Sequence, residues 1–434
     1  MASEVIYALL VVFSILVTIQ SAHSLYLTLY TWDRPQSKPR GPDNFRVPRL
    51  SFTVMLPARH EEAVVAATIG RVARANYPTD LIQILVICSA DDAGTIEKAD
   101  EKLNELRKEG IGNVSMVVFD DGPVNKPHGL NCGLTLATED IVTVFDAEDD
   151  IHADIFNVVN TIMVEEQVRV VQAGVQLMDF DASWYSALNV LEYFFWFKSR
   201  LHYYSRLGAI PLGGNTVFFD RNLISRLGGW DEKNLTEDAE IGLRLSAAGE
   251  RIRVVYDDRY VTKEETPPTL DAFIRQRSRW SQGFLQTLNK GTWRDLPTRR
   301  QRWLAFYTLA FPQGQALLAI YVPFSLLMML VFKTPVLVAL ISFLPVAMLF
   351  AHLLTSVVGL YEFTGAHGLE ASPKEVIRLA LAWFPYNLLV SYAALRAVRR
   401  QMRGAMDWEK TQHIGAHRVG VYDAAVEQAN DSAA

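Results

Sequence analysis

The sequence is poor in several features that would each point to a particular class of protein. Only two of its 434 residues are cysteines, Cys88 and Cys132, which excludes a disulfide scaffold and fits a reducing compartment. We expect both to be small core residues without a histidine or cysteine partner for zinc. The net charge of −6 argues against a nucleic-acid-binding protein. The chain also lacks a Gly-x-Gly-x-x-Gly loop and a Walker A lysine loop, which disfavours dinucleotide and P-loop sites.

Charge is nearly absent from residues 5–30, where His23 is the one ionisable side chain. This run is long enough to cross a bilayer and too long for the core of a signal peptide, so it predicts a signal anchor. A basic, proline-rich linker follows it, whereas only Glu4 is charged ahead of it. The positive-inside rule then predicts an external amino terminus and a cytoplasmic linker.

A second apolar region covers residues 303–360 and is broken at Lys333-Thr334-Pro335. It predicts an interfacial segment and two spans, and residues 376–395 form a third candidate span. Four spans in total would leave the carboxyl terminus outside, whereas the arginines at 396–403 favour the inside. A re-entrant or interfacial segment between Trp303 and Tyr321 would resolve this conflict, and the sequence leaves both alternatives open.

The middle of the chain alternates short β-favouring runs, polar loops and helical patterns. The runs cover residues 52–56, 82–88, 114–119 and 141–145, and each ends at a loop that carries acidic residues. This alternation predicts an α/β nucleotide-binding topology, in which ligand groups gather beyond the carboxyl ends of the strands. Each loop taken singly is also explained by ordinary turn and capping chemistry.

The acidic loop after the fourth run is the centre of this arrangement. Asp146 and Glu148 are two residues apart, so both can face one hard cation such as Mg²⁺ or Mn²⁺. A solvated acidic loop is the alternative interpretation.

Three later motifs carry further candidate groups. Gly213-Gly214-Asn215 leads into a strand, either as a plain bulge or to let a ligand approach the backbone. Thr236 is a natural N-cap, and Asp238 in the first helical turn is either part of that capping pattern or a general base. Gln276, Arg279 and Trp280 fall on one helix face, which suits a diphosphate and a sugar ring or, alternatively, an interfacial helix with snorkelling arginines.

Taken in order, these motifs resemble the membrane-embedded family 2 glycosyltransferases, which include cellulose, chitin and hyaluronan synthases. The matching residues cover about 51–283: Pro57-Ala58-x-x-Glu61, Asp91-Asp92, Lys126 to Asn131, Asp146-Ala147-Glu148, Gly213-Gly214-Asn215, Thr236-Glu237-Asp238 and Gln276-x-x-Arg279-Trp280. The stretch from Trp408 to His413 is similar to a motif of the bacterial subgroup. One departure is Asp-Ala-Glu in place of Asp-x-Asp.

The resemblance implies a GT-A-type α/β domain with an α-helical transmembrane region, and a role for each matching residue. Glu61 and Asp92 would contact the uridine of a UDP-sugar, with Asp91 as the neighbouring candidate, and Lys126 would approach the nucleotide. Asp146 and Glu148 would hold Mg²⁺ or Mn²⁺, and Asp238 would be the base. The acceptor and the diphosphate would be bound by Gly214, Asn215, Glu237, Gln276, Arg279 and Trp280.

The expected organisation is an anchor at 1–32, a linker at 33–50, a cytosolic catalytic domain at 51–270, interfacial helices at 271–302, transmembrane helices at 303–395 and a tail at 396–434. The expected function is a multi-pass plasma-membrane synthase that adds sugar to a β-linked polysaccharide and translocates it. The alternative is a single transfer to a polyprenyl phosphate or lipid, which would use the same motifs in the first half of the chain. A non-enzymatic transporter or scaffold is the third alternative, and nucleic acid is not an expected partner.

Overall fold

The computed structural model describes residues 2–32, 40–331, 334–405 and 415. The motif at 408–413, the first part of the basic linker and Lys333 lie outside the described residues. Nine strands and thirteen α-helices occur within the described ranges. The strands are β1 Phe52–Ala58, β2 Ile82–Ser89, β3 Val114–Phe119, β4 Ile141–Val144, β5 Val170–Ala173, β6 Val175–Leu177, β7 Val217–Asp220, β8 Ile252–Val255 and β9 Thr262–Glu264. The helices are α1 Ala2–Leu29, α2 Val65–Ala73, α3 Ala93–Lys108, α4 Lys126–Leu136, α5 Ile155–Glu166, α6 Ser186–Phe195, α7 Leu201–Leu207, α8 Arg221–Arg226, α9 Glu237–Ala247, α10 Leu270–Lys290, α11 Arg299–Val331, α12 Val336–Ala366 and α13 Pro373–Met402.

The α/β domain is built on a seven-stranded sheet in the order β3-β2-β1-β4-β7-β5-β8. All neighbouring strands are parallel except β7, which runs antiparallel to both β4 and β5. The four strands predicted first from the sequence form its parallel half, so their carboxyl ends share one edge. The mainly parallel α/β sheet expected from the sequence is confirmed.

Alternation along β1 explains why this sheet is covered on both faces. Phe52, Val54 and Leu56 pack into one hydrophobic cluster, whereas Met55 packs into the other. Side chains of successive strand residues point to opposite faces, so a strand with buried apolar residues on both faces needs a covering layer on each side.

Four helices are long and apolar enough to cross a membrane: α1, α11, α12 and α13. The structure has no separate segment between Trp303 and Tyr321, because both residues lie in the single 33-residue helix α11. Pro312 and Pro323 are accommodated inside that helix. No break in the helix marks a re-entrant segment there, and an interfacial position for the first part of α11 stays a prediction.

Helix α13 contacts the rest of the chain near both of its ends. Near its start Arg378 donates to the carbonyl of Asp181 (3.0 Å), and near its end Arg400 donates to Gln282 of α10 (2.9 Å). Between them Tyr386 packs on Phe273 of α10. The other face of α13 exposes an apolar stripe at helical spacing, made of Ile377, Leu381, Phe384, Leu388, Tyr392 and Leu395.

Candidate active site

A cavity of about 600 Å³ opens at the edge of the sheet where the polar loops converge. All of the predicted site residues except Asp91 and Asp92 line it. Those that the structure brings together are Glu61, Lys126, Asp146, Glu148, Gly214, Asn215, Glu237, Asp238, Gln276, Arg279 and Trp280. The cavity continues between the membrane helices, where α1, α11, α12 and α13 supply its walls.

Lys126 connects the first helix turn of α4 to the acidic loop after β4. Its ammonium group donates to Asp146 and to the carbonyl of Gly214, the latter at 3.1 Å. Although burial by itself lowers the pKa of Lys126, the charges of Asp146, Glu237 and Asp238 raise it above its ordinary value. Lys126 therefore stays charged, in contact with the predicted metal ligand.

A buried carboxyl pair is formed by Asp149 of this loop and Glu264 of β9. Asp149 accepts two hydrogen bonds from the Asn215 amide, both at 2.9 Å, and one from the backbone N–H of Asp146 (2.8 Å). The same amide nitrogen donates to Glu264 at the end of β9. Burial, reinforced by the charges of Glu148 and Asp146, raises the pKa of Glu264 to about 7. Asn215 thus holds two internal carboxyl groups in place, and diphosphate binding by its side chain stays a prediction.

Glu237 and Asp238 open α9 beside Lys126. Thr236 occupies the N-cap position, but its hydroxyl makes no capping bond and instead contacts Asn234. Capping therefore does not account for the motif. Burial, together with the charge of Asp238, raises the pKa of Glu237 to about 7. Burial also raises the pKa of Asp238, and the N–H of Ala239 and Lys126 offset part of that rise.

Helix α10 approaches α9 closely enough to bring its polar face to Asp238. A Cβ added to Gly283 would lie 2.6 Å from the backbone nitrogen of Thr236, so a side chain at this position would separate the helices. Gln276, Arg279 and Trp280 of α10 line the cavity. The indole of Trp280 lies 4.7 Å from the Arg277 guanidinium and 6.1 Å from the Tyr193 ring.

Of the three carboxylates predicted to lie near the uridine, only Glu61 lines the cavity. Glu61 follows β1 and lines the cavity, whereas Asp92 is the N-cap of α3 and accepts from the backbone N–H groups of His60 and Thr95. Asp91 is exposed and pairs with Arg59 at 3.2 Å. Contact of Asp91 or Asp92 with a uridine stays a prediction, and the structure gives Asp92 a role in shaping the loop.

The membrane half of the cavity carries polar groups as well as apolar walls. Arg200 ends a π-helical turn, Trp196–Arg200, a feature that often marks functional sites. One of its nitrogens donates to Ser24 (2.8 Å) and Thr28 (3.0 Å) of α1. Deeper in the cavity, Gln315 of α11 donates to Asn387 of α13 at 3.1 Å.

Sequence reasoning missed several residues of this site. Asp149 belongs to the acidic loop that the sequence singled out, and Glu264 and Glu265 lie at the carboxyl end of a strand, β9. The rule that located Asp146 could have found them. Arg277, which contacts Asn189 and Glu192, had no such signal because it lies one residue outside the predicted helix face.

The donor set fits a divalent cation. Asp146 and Glu148 line the cavity, and Asp149, Glu237, Asp238 and Glu264 add further carboxyl groups nearby. Hard oxygen donors of this kind suit Mg²⁺ or Mn²⁺ held together with substrate phosphates. The Lys126 ammonium against Asp146 shows that this position attracts positive charge.

Comparison with known proteins agrees with the site. A family model described as "Glycosyltransferase like family 2" matches residues 48–283, more than half of the chain. A probable glycosyltransferase, YdaM of Bacillus subtilis, is 27% identical over 254 residues, 56% of this chain and 57% of its own length. A beta-monoglucosyldiacylglycerol synthase of Nostoc is 27% identical over 237 residues, 54% of this chain and 49% of its length. The chain thus spans about half the length of these two relatives.

A third relative matches over more of its length. The poly-beta-1,6-N-acetyl-D-glucosamine synthase of Staphylococcus epidermidis is 24% identical over 377 residues, 84% of this chain and 87% of that protein. Among solved structures, a mannosyltransferase from Pyrobaculum calidifontis in complex with GDP-Man and Mn²⁺ matches with a TM-score of 0.58 and 19% identity, covering 91% of this chain and 99% of that one. The GT-A-type fold and the enzyme class expected from the sequence are confirmed, and the non-enzymatic alternative is not supported.

Proposed function

The chain belongs to the family 2 glycosyltransferases, and on that premise we propose that it elongates a β-linked polysaccharide from a UDP-sugar and passes the product into the membrane. The observation that carries this proposal is the continuity of one cavity from Asp238 to the helices of the membrane region. A growing chain whose end lies at Asp238 can extend from there between α1, α11 and α12. The polymer named for the Staphylococcus relative, which matches 84% of this chain, supports the same product class.

The proposed reaction is a single displacement with inversion. The Asp238 carboxylate accepts the proton of the acceptor hydroxyl, whose oxygen attacks the anomeric carbon from the face opposite the diphosphate. The bond from that carbon to the diphosphate oxygen breaks, and UDP leaves with the bonding electrons. The residues this requires are one base and groups that stabilise the leaving charge.

The residues around the leaving group suit that task. Lys126 and Arg279 supply positive charge on the cavity wall, and Asp146 and Glu148 would hold a divalent cation. Such a cation, when bound, neutralises charge on the diphosphate. Gln276 and Trp280 lie on the α10 face next to Asp238, where we place the acceptor sugar.

The test of this function is product analysis with the purified full chain. The protein is incubated with a panel of UDP-sugars and Mg²⁺ or Mn²⁺, and the product is sized. We expect a ladder of oligosaccharides from one donor. A product that never exceeds one added sugar would contradict elongation.

A second candidate function, transfer of one sugar to a lipid phosphate, is favoured by Arg200. Its three hydrogen bonds all use one nitrogen, and within the described residues no carboxylate lies at ion-pair distance from it. A cation near the membrane that has only neutral partners suits an anionic ligand. Assays with and without added polyprenyl phosphate separate the two functions. If transfer depends on that acceptor and is weakened selectively by Arg200→Gln, the single-transfer alternative is correct.

For the membrane arrangement we propose three spans, α1, α11 and α12, with α13 lying at the cytoplasmic surface of the bilayer. This proposal rests on the contacts of α13 with Asp181 near its start and with α10 near its end, and on its exposed apolar stripe. It also removes the conflict in charge, because three spans leave Arg396 to Arg403 in the cytoplasm together with the catalytic domain. Labelling of single cysteines introduced at Ala405 and Glu4 in sealed vesicles tests it. Accessibility of both positions from the same side would contradict three spans.

A further inference from the structure

A group of potential metal ligands lies outside the active-site cavity, at the turn between β3 and α4. His128 and Cys132 are four residues apart on α4, so their side chains share one helix face. Cys132 Sγ lies 3.6 Å from His128 Nε2, and Asp121 Oδ1 lies 3.8 Å from the same nitrogen. One donor atom from each of the three residues lies within 4.8 Å of the other two. The expectation that Cys132 has no histidine partner is therefore wrong.

The orientation of the His128 ring is fixed from its other side. Nδ1 lies 3.1 Å from the Glu232 carboxylate, which also accepts from the Asn131 amide at 2.9 Å. The ring of Phe119 packs edge-on against the imidazole at 5.3 Å. A carboxylate on Nδ1 favours the tautomer in which that nitrogen carries the proton. The lone pair of Nε2 then faces Cys132 and Asp121, which is the usual arrangement around a metal-binding histidine.

The turn before α4 is shaped to bring Asp121 to the ring. Gly122 has a φ of +70°, and a Cβ added there would lie 2.5 Å from His128 Nε2. A residue with a side chain would thus be strained in its backbone and would collide with the imidazole. The Asp121 side chain is 84% exposed, so it can move by a few tenths of an ångström without disturbing the core.

The separation of Cys132 Sγ and His128 Nε2 agrees with tetrahedral coordination of a zinc-class ion, and Asp121 Oδ1 needs to move by only a few tenths of an ångström to join it. With metal–sulfur and metal–nitrogen bonds of about 2.3 and 2.05 Å, a tetrahedral angle separates the two ligand atoms by about 3.6 Å. The observed separation of Sγ and Nε2 is 3.6 Å. We propose that Asp121, His128 and Cys132 bind Zn²⁺ or a similar soft divalent ion, with solvent in the fourth position.

This proposed zinc site is distinct from the active site in its chemistry. Thiolate and imidazole donors select zinc-class ions, whereas the oxygen donors of Asp146 and Glu148 suit Mg²⁺ or Mn²⁺. The zinc site nevertheless shares a helix with Lys126, which lies two residues before His128. An ion bound there would link the β3–α4 turn to the helix that carries Lys126, independently of which acceptor the enzyme uses.

The test uses Co²⁺ as a spectroscopic substitute for zinc in the full-length protein, purified in detergent and freed of metal with a chelator. We expect one equivalent of Co²⁺ to give a thiolate-to-cobalt charge-transfer band and the intense visible bands of tetrahedral cobalt, both displaced by Zn²⁺. The charge-transfer band should be lost in Cys132→Ser and kept in Cys88→Ala, the matched control at the other cysteine. It should also be kept in Asp146→Asn, because carboxylates give no such band.

Two further variants keep the test decisive if Cys132→Ser folds poorly. Glu232→Gln removes only the carboxylate behind His128, so it should weaken Co²⁺ binding about ten- to a hundredfold while keeping the thiolate band at saturation. Asp121→Asn should also weaken binding and change the visible bands. Absence of a thiolate band in the unmodified protein, or a band that survives Cys132→Ser, would overturn the proposal.

Discussion

Replacing Asp238 by asparagine tests the assignment of the catalytic base most directly. The substitution keeps the size of the side chain and removes its ability to accept a proton. Asp238 lies beside Lys126 and Glu237, and Gly214 approaches it so closely that a Cβ there would be 3.3 Å from Oδ2. An isosteric change should therefore leave the walls of the site intact.

The expected magnitude follows from what a base contributes. General-base catalysis supplies about 10²- to 10⁴-fold in rate, which corresponds to about 3–5 kcal/mol of transition-state stabilisation. We expect kcat of Asp238→Asn to fall by that factor. Donor affinity should change little, because the diphosphate is placed against Lys126, Arg279 and the metal ligands.

The pH dependence of the transfer rate is a second test of Asp238 as the base. Burial raises the pKa of Asp238 above about 3.9, the ordinary value for aspartate. On acidification, the active carboxylate is therefore protonated at a higher pH than an ordinary aspartate would be. The rate of the unmodified enzyme should thus decline as the pH falls toward the raised pKa. This acid limb should be absent from the residual activity of Asp238→Asn.

The assay is UDP release under saturating donor, combined with calorimetric titration of UDP. Asp231→Asn serves as the matched control, since Asp231 pairs with Lys290 at 2.7 Å and does not line the cavity. Turnover near the unmodified rate in Asp238→Asn would refute its role as base. A loss of donor affinity as large as the loss of kcat would instead make Asp238 a donor-binding residue.

Three further predictions follow from neighbouring groups. Trp280→Ala should shorten the products or stop elongation, because the indole forms the wall where the acceptor sugar is placed; unchanged product length on a sizing gel would count against that placement. Removal of divalent metal should abolish transfer, and Asp146→Asn should raise the Mn²⁺ concentration needed to restore it; equal metal dependence of variant and parent would exclude Asp146 as a ligand. Burial raises the pKa of Glu264 from its ordinary value of 4.5 to about 7, so the folded state binds an extra proton between these values. The stability from this group, about 3 kcal/mol as an upper estimate, is fully present below pH 4.5 and is lost as the pH rises through about 7. The apparent melting temperature of the metal-free protein should therefore fall from about pH 5 to about pH 8, and Glu264→Gln should reduce that fall.

Sequence patterns were sufficient to predict the parallel half of the sheet and the polar motifs that follow its strands. The runs at 82–88 and 114–119 are short and rich in β-favouring apolar residues, a local pattern that by itself predicts strands. The last part of the sheet was harder, because β7 is only four residues long and enters antiparallel between β4 and β5. Strand pairing of this kind is set by contacts between distant segments.

The membrane region illustrates the same limit. Hydropathy located all four long apolar helices, α1, α11, α12 and α13, because a run of apolar residues has the same meaning in any context. It could not show that Arg378 of α13 contacts the carbonyl of Asp181 or that Arg400 contacts Gln282 of α10. Such contacts depend on where α10 lies, which no local pattern specifies.

The sequence by itself determined the type of sheet, the family and the carboxylates that follow the strands, because each is encoded in a local pattern of residue types. Only the tertiary structure decided which polar groups share an environment. It placed Asn215 between Asp149 and Glu264, bonded Asp92 to the backbone of His60 and set Glu232 against His128. The physical reason is that the burial of a polar group and the partners that stabilise it are properties of the packed chain, which brings together residues that are far apart in the sequence.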